Sequence, residues 1–331
     1  MGAVALRRVG ILGTGSAVPS RVLTNRDLER MVDTTDEWIV QRTGIRERRI
    51  VDEGKTTSDL AAEAAEKALA AAEVSPREID LVLVATASPD HLVPPTSCRV
   101  QAKIGASRSA AFDVGAACSG FLTALATGSR FVSTGGAERV LVIGAECLSR
   151  ITDYTDRTSC ILFGDGAGAT VLAPLERAPR GEILETRLGA DGTGYEFIWI
   201  PSGGAARPAS AETVAAKEHF LRLRGREVFK FAVSRMVELI EGTLAPYDPS
   251  EVGIVIPHQV NLRILDAALE RLDLPRDRLE VTIDRYGNTS AASIPVALDE
   301  AVRAGRVVPG KLVLLVAFGA GLTWGSALIR W

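Results

Sequence analysis

Phe112-Asp113-Val114-Gly115-Ala116-Ala117-Cys118-Ser119-Gly120-Phe121 reads as a short strand, a tight bend of small residues and the opening of an apolar helix, with the cysteine at the helix start. Unpaired backbone N–H groups and the positive end of the helix dipole face a thiol in that position and favour its thiolate. Gly115, Ala116, Ala117, Ser119 and Gly120 leave room for a ligand or another segment to reach the sulfur, which a merely packed cysteine does not need. The default for a cysteine is a small buried hydrophobe, and Cys98, Cys147 and Cys160 keep that reading. Cys118 reads as a nucleophile.

The same unit recurs. Glu78 to Val84 resembles Glu251 to Ile256, and Arg139 to Gly144 resembles Leu312 to Ala317, with one spacing separating the members of both pairs. The bend Gly115 to Cys118 resembles Gly287 to Ser290, and Asn288 follows the cysteine at nearly that same spacing. Leu81 to Ala85, Val140 to Gly144, Gly253 to Ile256 and Lys311 to Val316 lack polar alternation, as expected of strands covered on both faces by helices. Helical periods run through Ser58 to Ala72, Cys118 to Ser133, Phe229 to Leu244, Leu262 to Leu272 and Ile294 to Ala304. A duplicated, layered α/β sandwich follows, with halves 1–178 and 179–331 and a seam near Ala178 to Glu182. Loops at the carboxyl ends of strands from both halves then converge, and Cys118 from one half faces His258 and Asn288 from the other. Pro201 to Ala211, rich in Pro, Gly, Ala and Ser, reads as a surface loop or lid.

Only three histidines are present. His91 sits in a Pro-rich turn and His219 in a polar segment, both solvated or structural positions; His258 follows a buried strand and Pro257, at a strand end pointing into the crevice. A satisfied core histidine is its bland alternative, and Asn288 taken alone is a turn residue. Together, Cys, His and Asn point to acyl transfer through a covalent thioester. The glycine-rich Gly10 to Pro19 fails as a dinucleotide loop, because the third glycine is missing and Pro19 stands where the phosphate-binding helix should run. Gly164 to Gly168 reads as a turn ahead of a strand over Ala169 to Ala173.

The 331 residues are 47% hydrophobic and 24% charged with a formal net charge of −3, ordinary globular material with no global attraction to nucleic acid. Four cysteines at irregular spacing argue against zinc and a disulfide framework and for a reduced, cytoplasmic setting. No targeting signal is read at the N-terminus, where Leu6 breaks the myristoylation pattern that Gly2 suggests. Leu312 to Ile329 is uncharged and of membrane-spanning length, but Phe318-Gly319-Ala320-Gly321 divides it into strand, turn and strand.

Ala117 to Phe121, Pro257-His258-Gln259-Val260-Asn261-Leu262-Arg263 and Gly287 to Ser293 together resemble the β-ketoacyl-acyl-carrier-protein synthase III family of the thiolase fold. So do Asp36 to Val40 with Arg42 to Ile45, Phe163 to Ala167, and Ala317 to Gly325, in family order over essentially the whole chain. The resemblance implies a five-layered α-β-α-β-α sandwich of two duplicated halves, a cytoplasmic homodimer, and no cofactor. It implies a decarboxylative Claisen condensation: Cys118 takes the acyl group of an acyl-CoA, and malonyl-acyl-carrier-protein loses CO2 and attacks it. By the same likeness His258 and Asn288 stabilise the enolate, and the N–H groups of Cys118 and Ala320 form the oxyanion hole. Thr34, Trp38, Arg42, Arg157, Gly225, Phe229 and Asn261 would meet CoA or pantetheine, and Val93 would close the acyl pocket of a partner subunit. Arg222, Arg224, Arg226, Lys230, Arg263 and Arg271 would form a basic patch for the acidic carrier protein; without the likeness they read as a solvated face. Val260 and Ala320 depart from the usual alanine and glycine. Alternatives are a same-fold condensing enzyme of secondary metabolism, priming polyketides or making acetoacetyl-CoA, a non-catalytic acyl or carrier-protein scaffold, and a hydrolase, the last disfavoured for want of a base aimed at water.

Overall fold

The computed structural model describes residues 6–178, 180–272 and 274–331. The Gly2 reading lies outside these residues, and so does Pro179 at the expected seam. One sheet contains β1 (Val9–Ala17), β2 (Leu81–Ala85), β3 (Ala110–Val114), β4 (Val140–Cys147) and β5 (Asp165–Pro174), in the order β1-β5-β4-β2-β3. The other contains β6 (Glu182–Ala190), β7 (Val252–Pro257), β8 (Leu312–Gly319) and β9 (Thr323–Arg330), in the order β6-β9-β8-β7. Pairings correspond strand for strand: β1–β5 and β5–β4 are antiparallel like β6–β9 and β9–β8, and β4–β2 is parallel like β8–β7. Where the first sheet adds β3, the second has a single parallel bridge from Val255 to Leu279. The repeat spacing read between Arg139 and Leu312 also separates Val9, which opens β1, from Glu182, which opens β6.

Longer helices complete the layers: α1 (Thr57–Ala72), α2 (Thr96–Ile104), α3 (Gly120–Ser133), α4 (Gly225–Leu244), α5 (Leu262–Leu272) and α6 (Ser293–Arg303). α3 and α6, whose first residues Gly120 and Ser293 are again one repeat apart, lie between the sheets. Phe121, Leu122 and Leu125 pack there with Ile294 and Leu298, against Leu83 and Val142 of one sheet and Ile256 and Leu315 of the other. α1 and α2 cover the outer face of the first sheet and α4 and α5 that of the second. Every residue of β4 and β8 is therefore buried, which explains their unbroken apolar runs. α1 is alanine-rich and starts at a capping box, the Thr56 N–H donating to Asp59 Oδ2 at 2.8 Å. The chain thus has the five-layered α-β-α-β-α architecture, and it ends in the antiparallel β8–β9 hairpin. No helix among the described residues is long and apolar enough to cross a membrane.

Two readings need correction. Gly164 to Gly168 is not a turn: β5 begins at Asp165, and Gly168 is needed because α6 lies directly on the strand there. A Cβ on Gly168 would stand 2.6 Å from both the Pro295 carbonyl carbon and the Val296 nitrogen. Cys98 is exposed, because α2 buries Thr96, Ser97, Val100 and Ile104 and turns residue 98 outward. The glycine-rich Gly10 to Ala17, unsuited to a dinucleotide, forms most of the edge strand β1.

Gly168→Ala is expected to lose about 1–3 kcal/mol in chemical denaturation, since backbone must shift to admit the methyl group. Gly204→Ala, which meets nothing within 4 Å, should change stability by less than about 0.5 kcal/mol.

Candidate active site

The bend after β3 narrows into a short 3-10 turn, Ala117–Ser119, that delivers Cys118 to the N-terminal end of α3. Ala117 takes a left-handed φ of +44°, a strained conformation for a residue with a Cβ. The turn is held from the opposite half: Thr323 Oγ1 donates to the Ala116 carbonyl at 3.2 Å and shares a 2.8 Å hydrogen bond with Ser119 Oγ. Gly319, at the end of β8, passes so near that an added Cβ would lie 2.8 Å from Cys118 N.

His258 follows β7 and is 1% exposed. Its loop is fixed by Gln259, whose Nε2 donates to the Pro257 and Glu280 carbonyls and whose Oε1 accepts from the Thr282 and Ile283 N–H groups. Ser293 Oγ lies 2.7 Å from His258 Nδ1 and accepts the Gln259 N–H at 3.4 Å. In the tautomer where the Ser293 hydroxyl donates to Nδ1, the ring carries its proton on Nε2. Phe318 packs edge-on against the ring, centroids 5.8 Å apart. Burial pushes the imidazole down to about 3, so it is neutral at physiological pH.

Asn288 lies on a parallel bridge to Phe163 of the first half, its N–H donating to the Leu162 carbonyl at 2.8 Å and its carbonyl accepting from Gly164 N at 3.0 Å. Its Oδ1 accepts from the Ser290 N–H at 2.9 Å, which leaves the amide NH2 as the end able to donate to a ligand. Ser290 has a left-handed φ of +46°, and it is the repeat counterpart of Ala117, the strained residue of the other bend.

Cys118, His258, Asn288 and Ala320 line one cavity of about 420 Å³ whose other walls include Ala87, Leu148 and Phe318. Gly225, Phe229, Val260 and Asn261 line it too. Asn261 Nδ2 donates to the Arg42 carbonyl at 3.1 Å, tying the cavity wall to the helix Asp36–Thr43. Outside the cavity on that helix, Trp38 has the guanidinium groups of Arg42 and Arg157 over its ring, 5.4 and 5.1 Å from the centroid. Thr34 Oγ1 is buried without a hydrogen-bond partner. Arg222, Arg224, Arg226, Lys230, Arg263 and Arg271 are all exposed, and only Arg224 is ion-paired among the described residues, with Glu196. Val93 does not reach this cavity; it is 84% exposed on the loop before α2. No cluster of three or more His, Cys, Asp or Glu among the described residues is arranged to hold a metal.

Burial opposes the expected thiolate. Apolar enclosure, helped by the nearby Glu146 carboxylate, pushes the Cys118 thiol up to about 12 against the pull of the Ser290 hydroxyl. Ser290, Ser293, Phe318 and Glu146 escaped notice as site residues. The two serines stand within the Gly287 to Ser293 run itself, and Glu146 gave one signal, a charge ending the apolar run Val140 to Ala145.

A half-buried thiol beside a neutral imidazole and a fixed amide, at the seam of a duplicated α/β sandwich, defines a thiolase-fold condensing enzyme. Residues 112–192 match the 3-oxoacyl-[acyl-carrier-protein (ACP)] synthase III family, and residues 244–331 match that family's C-terminal part. Beta-ketoacyl-[acyl-carrier-protein] synthase III of Caldanaerobacter subterraneus subsp. tengcongensis is 51% identical over 326 residues, 97% of both chains. That of Desulfitobacterium hafniense is 52% identical over 328 residues, 98% of both. The crystal structure of 3-oxoacyl-[acyl-carrier-protein] synthase III from Aquifex aeolicus superposes with a TM-score of 0.89 at 47% identity, over 98% of this chain and 100% of that one. The chain belongs to the β-ketoacyl-acyl-carrier-protein synthase III family, acyltransferases of the condensing type.

Because His258 is neutral well above about 3, its ring resonances should not titrate between about pH 5 and 8 in 15N-resolved NMR of the folded protein, and Nε2 should carry the proton.

Proposed function

We propose that this chain condenses an acyl-CoA primer, held as a thioester on Cys118, with malonyl-acyl-carrier-protein to give 3-oxoacyl-acyl-carrier-protein, CoA and CO2, the step that initiates fatty acid synthesis. The observation that carries the reading is that a cysteine from one half and a neutral histidine and an oriented asparagine from the other share one apolar cavity. In the first step the sulfur displaces CoA, and the N–H groups of Cys118 and Ala320 stabilise the oxyanion. In the second, charge gathers on the malonyl thioester oxygen as CO2 leaves, and His258 Nε2–H and the Asn288 amide donate to it. Neither donor is an acid at neutral pH, so neither quenches the carbanion before it attacks the acyl-cysteine.

Around that centre the assignments follow the family likeness. Adenine takes the place beside Trp38 with Arg42, Arg157 and Thr34 around it, and the pantetheine arm runs past Gly225, Phe229 and Asn261 to the sulfur. Arg222, Arg224, Arg226, Lys230, Arg263 and Arg271 receive the acidic carrier protein. The exposed apolar Leu92 and Val93 are suited to a second copy, whose acyl pocket Val93 closes, giving a homodimer; a small residue there admits longer or branched primers. The halves are 1–178 and 179–331, the setting is cytoplasmic, and no cofactor takes part. Relatives such as those of Caldanaerobacter and Desulfitobacterium, at 51% and 52% identity, bear the name beta-ketoacyl-[acyl-carrier-protein] synthase III, whereas the priming β-ketosynthase of the R1128 polyketide pathway stands at 35% identity, so a secondary-metabolism role has no observation of its own in its favour.

Intact-protein mass spectrometry after a panel of acyl-CoAs, then malonyl-acyl-carrier-protein, tests the division of labour. Cys118→Ala should take up no acyl group. His258→Ala and Asn288→Ala should load normally and condense roughly a hundredfold more slowly, the value of about 3 kcal/mol for one oxyanion donor. Equal loss of loading in all three would contradict the assignment.

A further inference from the structure

We propose that Arg48 is a positioning residue for the condensation step: buried against the Asn288 bend, it clamps the first-half segment that Asn288 bridges and so aims the asparagine amide at the malonyl oxygen. This rests on the reading of Asn288 as a donor to the enolate. Arg48 is 0% exposed. Its hydrogen bonds among the described residues all go to neutral oxygens: Nη1 donates to the Leu23 carbonyl at 3.2 Å and to Asn25 Oδ1 at 2.8 Å, and Nη2 to the Ile161 carbonyl at 2.7 Å. Nε is buried without a hydrogen-bond partner. Burial lowers the guanidinium to about 10, and it stays charged at neutral pH. A buried cation without a counter-ion weakens a core that an apolar side chain would fill better. What arginine supplies in exchange is a planar fork that binds oxygens of separate segments at once.

One of those segments leads straight to the site. Ile161 precedes Leu162 and Phe163, which line the cavity, and the bridge between Phe163 and Asn288 is made by the Leu162 carbonyl and the Gly164 N–H. The stem of Arg48 lies against both sides of that bridge: a Cβ on Gly164 or Gly287 would stand 3.1 or 3.2 Å from Arg48 Cβ. Gly287, at a left-handed φ of +65°, leads directly into Asn288. Arg48 itself sits on a short antiparallel ribbon of Val22–Thr24 and Glu47–Arg49. The neighbouring Arg46 N–H donates to the Asp284 carbonyl at 3.0 Å, joining this part of the chain to the helix Ile283–Tyr286 that precedes the bend. The Cys118 bend is held by other groups, Thr323 and the close approach of Gly319. Loosening Arg48 therefore misplaces the Asn288 amide and leaves the sulfur where it is, so condensation slows and loading does not.

The test is a double-mutant cycle on condensation by enzyme acylated in advance, with single-turnover loading from acetyl-CoA measured beside it. Arg48→Lys keeps the charge and most of the stem but has one nitrogen in place of the fork. It should load at the wild-type rate and condense about tenfold more slowly at saturating malonyl-acyl-carrier-protein, with the half-saturating concentration unchanged. In the Asn288→Ala background the same substitution should alter condensation by less than about twofold, since the group it aims is gone. Condensation by Arg48→Lys at the wild-type rate, an equal loss of loading, or equal slowing in both backgrounds overturns the positioning role alone. Should Arg48→Lys not fold, Asn25→Ala, which removes the oxygen 2.8 Å from Nη1, takes its place in the cycle, with the same split expected and the same results overturning it. An Asn288→Ala protein that condenses at the wild-type rate overturns the donor reading, and the positioning role with it.

Discussion

The back-to-back contact of two bends, one from each repeat, is the constraint on which the site depends. Ala117 and Ser290 are both held at left-handed φ, a strain of roughly 1–3 kcal/mol each that persists only where surroundings enforce it. Here glycines do so. A Cβ on Gly144 would come within 2.1 Å of the Ala291 carbonyl oxygen, and one on Gly319 within 2.8 Å of Cys118 N, so each sheet reaches directly into the other half's bend. Thr323, bonded to Ala116 and Ser119, closes the contact. Duplication matters chemically because a single half carries only one bend, and so either the sulfur or the donors.

Low polarity is the second element. The cavity is walled by Leu148, Phe318 and similar side chains, and burial moves the titratable groups in and behind its wall in opposite directions: the thiol and Glu146 rise, the imidazole falls. All three shifts favour neutral forms. An empty site that carries little formal charge presents hydrogen-bond donors at full strength when negative charge develops on a substrate oxygen.

Much of this was legible in the chain. Unbroken apolar runs such as Leu81 to Ala85 and Leu312 to Val316 announced strands buried on both faces, and their spacing announced the repeat. Cys118, His258 and Asn288 stood out as strand-end residues in small-residue contexts. What stayed hidden was set by distant packing. The start of β5 looked like a turn because a glycine that admits a packed helix, as Gly168 admits α6, is indistinguishable in sequence from one that bends a chain. β6 has no buried residue, and α2 buries only Thr96, Ser97, Val100 and Ile104, so neither carried a strong apolar period. The burial that opposes a thiolate stayed hidden because local dipoles can be read from neighbours, whereas desolvation comes from residues far along the chain, such as Leu148 and Phe318.

The central claim is that one pair of donors serves the acyl thioester oxygen and a separate pair, His258 and Asn288, serves the malonyl oxygen. Release of labelled CO2 from malonyl-acyl-carrier-protein by Cys118→Ala measures this most directly, since it reads enolate stabilisation with the sulfur absent. The account predicts that CO2 is still released without any condensed product; a correctly folded Cys118→Ala protein that binds the carrier substrate and releases none would contradict it.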